Sequence, residues 1–435
     1  MITKNDREAK ETAVPDGPPA APAREVLLQE GVAAKLIRYA QIDTTSDDRA
    51  AGVPSTPGQW ELARLLAAEL EALGLADVDV DQHAIVTATL PGTVPGAPTV
   101  GLLAHLDTVP GVPGRGVRPI VHRRYSGGAI ELPAGPVLRP EEYPALRRVV
   151  GHDLITSDGS TLLGADDKAG IAVIMEALAR LIKDDGRPRC DLRIGFLPDE
   201  EIGRGPDKFD TARFGARCAY TLDGGELGEL VYENFNALNC TVILKGVSAH
   251  TGTARGAMIN AVHLAATLIG MIPASMRPET TLGKEGFIHP QKIAGDVETI
   301  ELSLLLRDFT EAGLAAKRAL LERWLGALEA AHPGCEARYA VSGSYRNMRP
   351  KLDEDPLVVE RVREAMRRAD IAPIERPIRG GTDGAKLTWM GLPTPNLFTG
   401  AMAAHSRVEW VSVQWMEKAV EMIGYLAELW ASDAH

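Results

Sequence analysis

The sequence predicts an α/β protein whose main sheet is mostly parallel and which carries an inserted α+β segment. Short apolar runs alternate with helix-like segments through the first half of the chain, which is the pattern of βα units. Acidic or histidine side chains stand where several of these runs end, as His105 does after residues 99–104. After Asn236 the pattern changes to longer strands and apolar-striped helices, which favours a separate α+β unit.

The composition limits the classes of protein to consider. The chain has 435 residues, of which 45% are hydrophobic and 24% are charged, and its formal net charge is −12. This length exceeds that of one ordinary core, so two domains are expected. The negative charge disfavours a general binder of nucleic acid or of anionic membranes, because phosphate groups would be repelled.

The cysteine pattern indicates a reducing environment. Cys190, Cys218, Cys240 and Cys335 are far apart and form no CxxC pair. Neither a disulfide framework nor a thiolate metal site is therefore predicted, and a cytoplasmic location is expected. No apolar run reaches the roughly 18 residues that a membrane-spanning helix needs, and the N-terminus has no apolar core of a signal peptide.

The first elements can be predicted from their end signals. Residues 1–24 are polar and then rich in Pro and Ala, so a disordered tail is expected. A helix is predicted over residues 26–39. A second helix begins at Thr56, its N-cap, has Pro57 at its first position and ends at Gly74.

Strands of the main sheet follow. Residues 78–90 should pair as strands, and residues 99–104 form a short apolar run typical of a buried strand. Residues 109–150 are rich in Pro, Gly and Arg and are expected to be mainly a surface excursion. The runs at 192–197 and 219–222 end in carboxylates, as strands of a parallel sheet would.

The later part of the chain is expected to leave the main domain and return to it. Residues 236–345 read as two strand-plus-helix units and a closing strand, with helices at 258–272 and 311–331. We therefore assign residues 25–235 and 346–435 to the main domain, and residues 236–345 to an inserted domain.

Two histidines and three carboxylates form a candidate metal site. Most of them fall where an apolar run stops, which is the edge where a parallel sheet presents its functional loops. This donor set suits zinc, cobalt or manganese, and a shared carboxylate would allow two metal ions. The candidate ligands are His105, Asp166, Glu201, Asp223 and His405.

Two further acids stand beside these ligands. Asp107 is two residues after His105, where it could hold the other ring N–H and fix the tautomer. Glu200 precedes Glu201 and could take a proton from a metal-bound water. Taken singly, each residue has a plainer interpretation, such as a buried histidine or a solvated acidic turn. The joint pattern is what favours metal chemistry.

Several motifs occur together in this chain. The most specific stretch is residues 158–170, which contains Asp166, Asp167 and Lys168. The other stretches are residues 104–108, 198–205, 220–225, 233–237, 307–309, 379–384 and 396–400. In these motifs the chain resembles the M20 family of metallopeptidases, and within it the tripeptide aminopeptidases. The resemblance covers nearly all of the chain after the tail.

The resemblance implies a role for each candidate ligand. His105 and Asp223 would hold one zinc ion, Glu201 and His405 would hold the other, and Asp166 would bridge them. Two zinc ions per subunit are thus expected, with cobalt or manganese as substitutes. A metal-bound water would be the nucleophile.

The resemblance also assigns residues around the metals. Glu200 would be the general base, and Asp107 would support the ligand beside it. His250 would lie near the oxyanion, although a plain surface turn is the alternative. Arg307 and Arg379 would bind a peptide carboxylate, and for each the alternative is a structural ion pair.

The implied protein is a zinc-dependent exopeptidase with a zinc-exopeptidase-like catalytic domain. The inserted domain would act as a lid and as the dimerisation surface of a homodimer. The substrate would be a short peptide that loses its N-terminal residue. Residues 401–404, Ala-Met-Ala-Ala, depart from the polar and aromatic residues usual before this histidine, so strict tripeptide specificity does not follow.

Other functions stay open on the sequence alone. A dipeptidase, a carboxypeptidase or an N-acyl amino acid deacylase of the same family would share the metal site. A non-catalytic peptide- or metal-binding protein is less favoured, because the full ligand set and Glu200 are present. A two-metal phosphatase is less favoured still, because a basic phosphate cradle is missing.

Overall fold

The computed structural model describes residues 22–433, so the predicted disordered tail lies almost entirely outside the described residues. Helices α1 to α11 occupy Arg24–Gln29, Val32–Ala40, Pro57–Leu73, Ala165–Lys183, Thr211–Phe214, Ala261–Gly270, Glu311–Ala331, Arg349–Leu352, Leu357–Arg368, Asp383–Trp389 and Val413–Ala431. Over the same part of the chain, no helix combines the length and the apolar character needed to cross a bilayer.

The strands form one large sheet and several smaller ones. Strands β1 to β18 occupy Ala76–Val80, Val86–Leu90, Val100–His105, Ile120–His122, Ile130–Glu131, Val137–Leu138, Leu154–Thr156, Leu192–Leu197, Cys218–Gly224, Glu229–Val231, Asn236–Lys245, Phe287–Gly295, Thr299–Asp308, Glu336–Gly343, Ile374–Glu375, Asn396–Phe398, Ala401–Met402 and Trp410–Ser412.

The large sheet has eight strands in the order β1-β2-β8-β3-β9-β16-β10-β15. Its centre, β8-β3-β9-β16, is parallel. The pairs β1-β2, β2-β8 and β10-β16 are antiparallel. The α/β class is therefore confirmed, and the sheet is mixed, with the predicted parallel strands at its centre.

Strand β3 is buried on both faces of this sheet. Leu102 and Ala104 belong to the main core, which also contains residues of α2, α4 and α11. Leu103 points the other way and belongs to a smaller cluster with Phe214 and Leu387. Because both faces are covered, only the end of β3 reaches the surface cleft, and that end is His105.

The segment 236–345 contains a second, antiparallel sheet in the order β12-β13-β11-β14. Helices α6 and α7 cover one face of it, and their apolar side chains form a hydrophobic core separate from that of the large sheet. Thr310 caps α7 by accepting the backbone N–H of Gly313 at 2.9 Å.

The prediction of one helix over residues 26–39 is wrong in one respect, because this segment forms two helices, α1 and α2. Glu30 has an extended conformation, with φ −69° and ψ 132°. The ammonium group of Lys35 explains the break, since it donates to the backbone carbonyl oxygens of Leu27 at 3.0 Å and of Glu30 at 2.8 Å. These contacts satisfy carbonyl groups where α1 ends.

Strand β12 was not predicted from the sequence. Pro290, Gln291 and Lys292 interrupt its apolar pattern. The strand lies at the edge of the second sheet, where a proline is tolerated because one side of the strand needs no ladder hydrogen bond.

Candidate metal centre

The predicted ligands converge at the carboxyl edge of the large sheet. His105 is the last residue of β3, Asp223 lies near the end of β9, and Glu201 follows β8 by four residues. Asp166 stands at the start of α4, and His405 lies in the loop between β17 and β18. Parallel strands thus bring His105, Glu201 and Asp223 together, and a loop of a separate antiparallel sheet adds His405.

The first half of the cluster is built around His105. Its Nε2 lies 3.0 Å from Asp166 Oδ1 and 3.7 Å from Asp223 Oδ1. Its Nδ1 lies 3.0 Å from the backbone carbonyl oxygen of Asp107. Since a carbonyl oxygen only accepts, Nδ1 carries the proton, and a neutral ring turns its Nε2 lone pair toward the two carboxylates.

The second half is built around His405. Its Nε2 lies 2.9 Å from Glu201 Oε1 and 3.2 Å from Asp166 Oδ2. Glu201 Oε1 is buried and has no hydrogen-bond partner. The two oxygens of Asp166 therefore face different histidines, which is the arrangement expected of a carboxylate that bridges two cations.

The donor set fits a pair of divalent cations. Lone pairs of imidazole and carboxylate point at each other, so either protons or metal ions must lie between them. The set contains only nitrogen and oxygen donors, which suit zinc, cobalt and manganese. Residues 22–433 contain two groups of three side chains whose ligand atoms all lie within 4.8 Å of one another. One group is His105, Asp166 and Glu201, and the other is His105, Asp167 and Asp223.

Asp167 was not among the predicted ligands. Its carboxylate accepts the backbone N–H of His105 at 3.1 Å and of Gly170 at 3.1 Å. The peptide bond that joins it to Asp166 is cis. The carboxylate of Asp167 thus joins the end of β3 to the start of α4. We therefore assign Asp167 to the support of the ligands and not to the ligands themselves.

Protons balance the charge of the cluster when no metal is bound. Burial raises the pKa of Asp223 to about 7 and also raises that of Glu201. The carboxylates of Asp166 and Glu201 raise the pKa of His405 to about 10. Burial would raise the pKa of Asp166, but its contacts with His105 and His405 outweigh burial and lower that pKa. Metal ions would replace these protons.

Asp107 connects the two halves of the site through the backbone. It is fully buried, and its Oδ1 accepts the N–H of Glu200 at 2.9 Å while its Oδ2 accepts the N–H of Glu201 at 3.1 Å. Its Oδ1 also lies 3.3 Å from His105 Nδ1. Asp107 therefore touches the ring as predicted, and in addition it fixes the turn that carries both glutamates.

Glu200 lies in a turn that hydrogen bonds to the preceding residue, Asp199, hold in place. Asp199 has φ 58° and accepts the N–H of Ser55 at 2.8 Å and the amide N–H of Gln59 at 2.7 Å. Burial raises the pKa of Glu200 well above its ordinary value, and the nearby charge of Asp383 raises it further. A carboxylate with a raised proton affinity can accept a proton and return it.

Arg307, one of the two predicted substrate residues, lines a cleft from the second sheet. Arg307 on β13 is buried, and its Nη1 donates to the backbone carbonyl oxygens of Leu306 at 3.2 Å and Leu238 at 3.3 Å. It lines a cleft of about 640 Å³ that Glu201 also lines. The cleft therefore extends from the candidate metal site to the second sheet.

Arg379 is held in an aromatic cage. Its guanidinium carbon lies 5.4 Å from the ring centroids of both Phe235 and Phe287, and its Nη2 donates to Thr281 Oγ1 at 2.6 Å. Its Nη1 is buried and has no hydrogen-bond partner. The group is thus oriented by its neighbours and keeps one donor for a further acceptor.

His250 stands apart from this cluster. It is exposed on the segment 236–345, where its Nδ1 accepts the backbone N–H of Gly252 at 3.1 Å. Among the described residues its ring makes no hydrogen bond with the five ligands. The structure of one chain therefore gives His250 the local geometry of a turn cap, and its predicted role stays a prediction.

Glu409 is a residue of the site that the sequence analysis missed. Its carboxylate is buried and accepts three backbone N–H groups from the loop that carries Asp166. The only signal was its position between the apolar residues Val408 and Trp410. A charged residue in such a place requires a buried partner.

Comparisons with known proteins identify the family of this chain. The sequence pattern of peptidase family M20/M25/M40 matches residues 158–429. A protein of Vibrio parahaemolyticus named Peptidase T is 46% identical over 399 residues, which cover 91% of this chain and 98% of that protein.

Solved structures show the same fold. The aminopeptidase PepT of Bacillus cereus has a TM-score of 0.73 at 24% identity and covers 94% of this chain and 99% of its own. A Bacillus subtilis protein described as a dinuclear metal-binding peptidase of the M20 family has a TM-score of 0.65 at 14% identity, covering 94% and 100%. The match to the family pattern and the 46% identity to the Vibrio protein show that this chain belongs to peptidase family M20/M25/M40.

Proposed function

We propose that this chain is a two-zinc aminopeptidase that releases the N-terminal residue from tripeptides and other short peptides. The observation that carries this proposal is the convergence of His105 and His405 on the two oxygens of Asp166. The names of its relatives, Peptidase T and an aminopeptidase, support the choice of substrate end.

His105 and Asp223 would hold one zinc ion, Glu201 and His405 would hold the other, and Asp166 would bridge the two. Cobalt or manganese would replace zinc in the same nitrogen and oxygen donors. When bound, the metal pair polarises the scissile carbonyl and lowers the pKa of the attacking water.

Glu200 would serve as the general base and then as the general acid. It would take a proton from the attacking water and deliver it to the leaving amine. The raised pKa of its carboxyl group supports this double role, because such a group holds a proton more readily than an ordinary glutamate does. Asp107 would keep Glu200 in place through the backbone.

Arg379 and Arg307 would recognise the C-terminal carboxylate of the peptide. The free Nη1 of Arg379 supports this role, because a guanidinium with one buried, unpaired donor gains a hydrogen bond from such a ligand. A carboxylate bound at a fixed distance from the metal site would favour peptides of one length. The cleft lined by Glu201 and Arg307 has room for a short peptide.

The segment 236–345 would act as the lid and as the contact surface of a homodimer. We propose that His250 reaches the developing oxyanion of a partner subunit, which agrees with its exposure and with its only ring hydrogen bond among the described residues, from the backbone N–H of Gly252. A cytoplasmic location is proposed as well, because all four cysteines are free.

A panel of blocked substrates tests the proposal. Zinc-loaded protein is given a tripeptide with free ends, its N-acetylated form, its C-terminal amide, a dipeptide and an N-acyl amino acid. The expected result is cleavage of the free tripeptide, loss of cleavage on acetylation and loss of activity with a chelator. Cleavage of the acetylated peptide or of the acyl amino acid would instead assign a carboxypeptidase or a deacylase.

A further inference from the structure

Glu409 collects three main-chain hydrogen bonds from one loop. Its side chain lies four residues after His405, and the residue is 1% exposed. Its Oε2 accepts the N–H of Leu163 at 2.8 Å and of Gly164 at 2.7 Å, and its Oε1 accepts the N–H of Asp166 at 2.9 Å. Both oxygens of the carboxylate thus accept hydrogen bonds from the backbone.

The loop needs an external acceptor at this point. Gly164 has φ 78°, and Asp166 has φ −86° and ψ 99°, so the chain turns sharply before α4 becomes regular. Amide groups at the start of a helix have no carbonyl partner inside it. Glu409 supplies that partner from 243 residues further along the chain.

One side chain therefore links two ligand loops of the metal centre. Asp166 Oδ2 and His405 Nε2 are 3.2 Å apart, although their loops meet only in the folded protein. Glu409 belongs to the His405 loop, where its N–H bonds to the carbonyl oxygen of Ser406 at 3.4 Å. Through its carboxylate it sets the position of the Asp166 backbone relative to that loop.

We propose that Glu409 is a positioning residue of the metal centre, which holds Asp166 so that its two oxygens face His105 and His405. This inference rests on the proposed function, because it assigns Asp166 as the bridging ligand. A carboxylate is required, since glutamine has one acceptor oxygen and an NH₂ group that would oppose a main-chain N–H.

The competing explanation is that Glu409 stabilises the loop and nothing else. In that case its loss would lower the stability of the metal-free protein and leave zinc affinity unchanged. Zinc affinity and metal-free melting temperature are therefore measured together, on protein whose fold is checked by circular dichroism.

The test compares Glu409→Gln with Glu176→Gln as a matched control. Glu176 is a second buried carboxylate, paired with Lys35 at 2.8 Å, and lies on α4 ten residues after Asp166, about 15 Å along the helix axis. Zinc dissociation constants and stoichiometry are measured by competition with a chromophoric chelator. We expect Glu409→Gln to weaken zinc binding on the order of 10- to 100-fold, and Glu176→Gln to keep wild-type zinc affinity at a lower melting temperature.

Wild-type zinc affinity in folded Glu409→Gln would overturn the inference. If that variant does not fold, Glu409→Asp replaces it, because it keeps the charge but is one methylene shorter, and the same weakening is expected. Failure of both to fold, while Glu176→Gln folds, would assign Glu409 to the fold and also overturn the inference. A wild-type chain that binds no zinc would contradict the proposed function itself.

Discussion

The carboxylate of Asp107 accepts the backbone N–H of Glu200 at 2.9 Å. Its other oxygen accepts the N–H of Glu201 at 3.1 Å, so one buried acid fixes the backbone of both glutamates. The backbone contacts to Asp107 hold Glu200 and Glu201 in position, so their side chains are free for other contacts. The two neighbouring carboxylates can therefore take different roles.

Replacing each glutamate separately distinguishes these roles. Glu200→Gln keeps the size of the side chain and removes the proton acceptor, so kcat should fall about 10²- to 10⁴-fold while two zinc ions remain bound. Glu201→Gln removes a ligand oxygen, so zinc binding itself should weaken. Kinetics and elemental analysis of both variants provide the measurement. Wild-type kcat in Glu200→Gln would refute the assignment of the base.

Arg379→Lys tests carboxylate recognition. Lysine keeps the positive charge but loses the planar fork that Phe235 and Phe287 orient. We expect KM for the free tripeptide to rise about tenfold, with a smaller change in kcat and little change for the C-terminal amide. Arg363→Lys, whose guanidinium pairs with Glu375 on the surface, serves as the control and should leave both substrates unaffected. An equal rise of KM for the free tripeptide and for its C-terminal amide would contradict recognition of the carboxylate by Arg379.

Zinc binding should release protons in a pH-dependent way. The pKa of His405 in the metal-free protein is raised from 6.5 to about 10, so its charge stabilises the metal-free fold below pH 6.5, and this contribution is lost as pH rises through 10. The pKa of Asp223 is about 7.

Since zinc needs the neutral imidazole, zinc affinity should increase as pH rises toward 10. Calorimetry in buffers of different ionisation enthalpy should show release of the His405 proton near pH 8, to which His105 adds because its pKa is raised as well. A larger release is expected near pH 6, where Asp223 is also protonated. Proton release that does not change between these two conditions would be inconsistent with the raised pKa values.

Removal of one partner from the buried pair of Lys35 and Glu176 should destabilise the fold strongly. Removing Lys35 leaves a buried carboxylate, with Arg180 as its remaining partner, and frees two backbone carbonyl groups. We expect Lys35→Ala to lower the free energy of unfolding by about 3–5 kcal/mol in denaturant titrations. The control is Lys351→Ala, which breaks an exposed pair with Glu354 and should cost less than about 1 kcal/mol. Equal effects in the two variants would show that burial is not the cause.

The ligands could be predicted from the sequence because of where strands end. His105, Glu201 and Asp223 follow apolar runs that are adjacent and parallel in the sheet, so their proximity follows from topology alone. His405 follows no long apolar run directly, and the resemblance to a known family supplied its role.

Other features depend on contacts that leave no pattern in the sequence. Glu409 binds main-chain amides, which every residue has, so its partners could not be read from side chains. The break between α1 and α2 depends on Lys35, whose partner Glu176 is 141 residues away. The cage around Arg379 likewise forms only when Phe235 and Phe287 meet in the fold.

Identification of the bond that is cleaved tests the central claim most directly. A tripeptide of three different residues is incubated with zinc-loaded protein, and the first products are identified by mass spectrometry. The proposed function predicts the free N-terminal amino acid together with the C-terminal dipeptide, and neither product in the presence of a chelator. A free C-terminal amino acid together with the N-terminal dipeptide would contradict it.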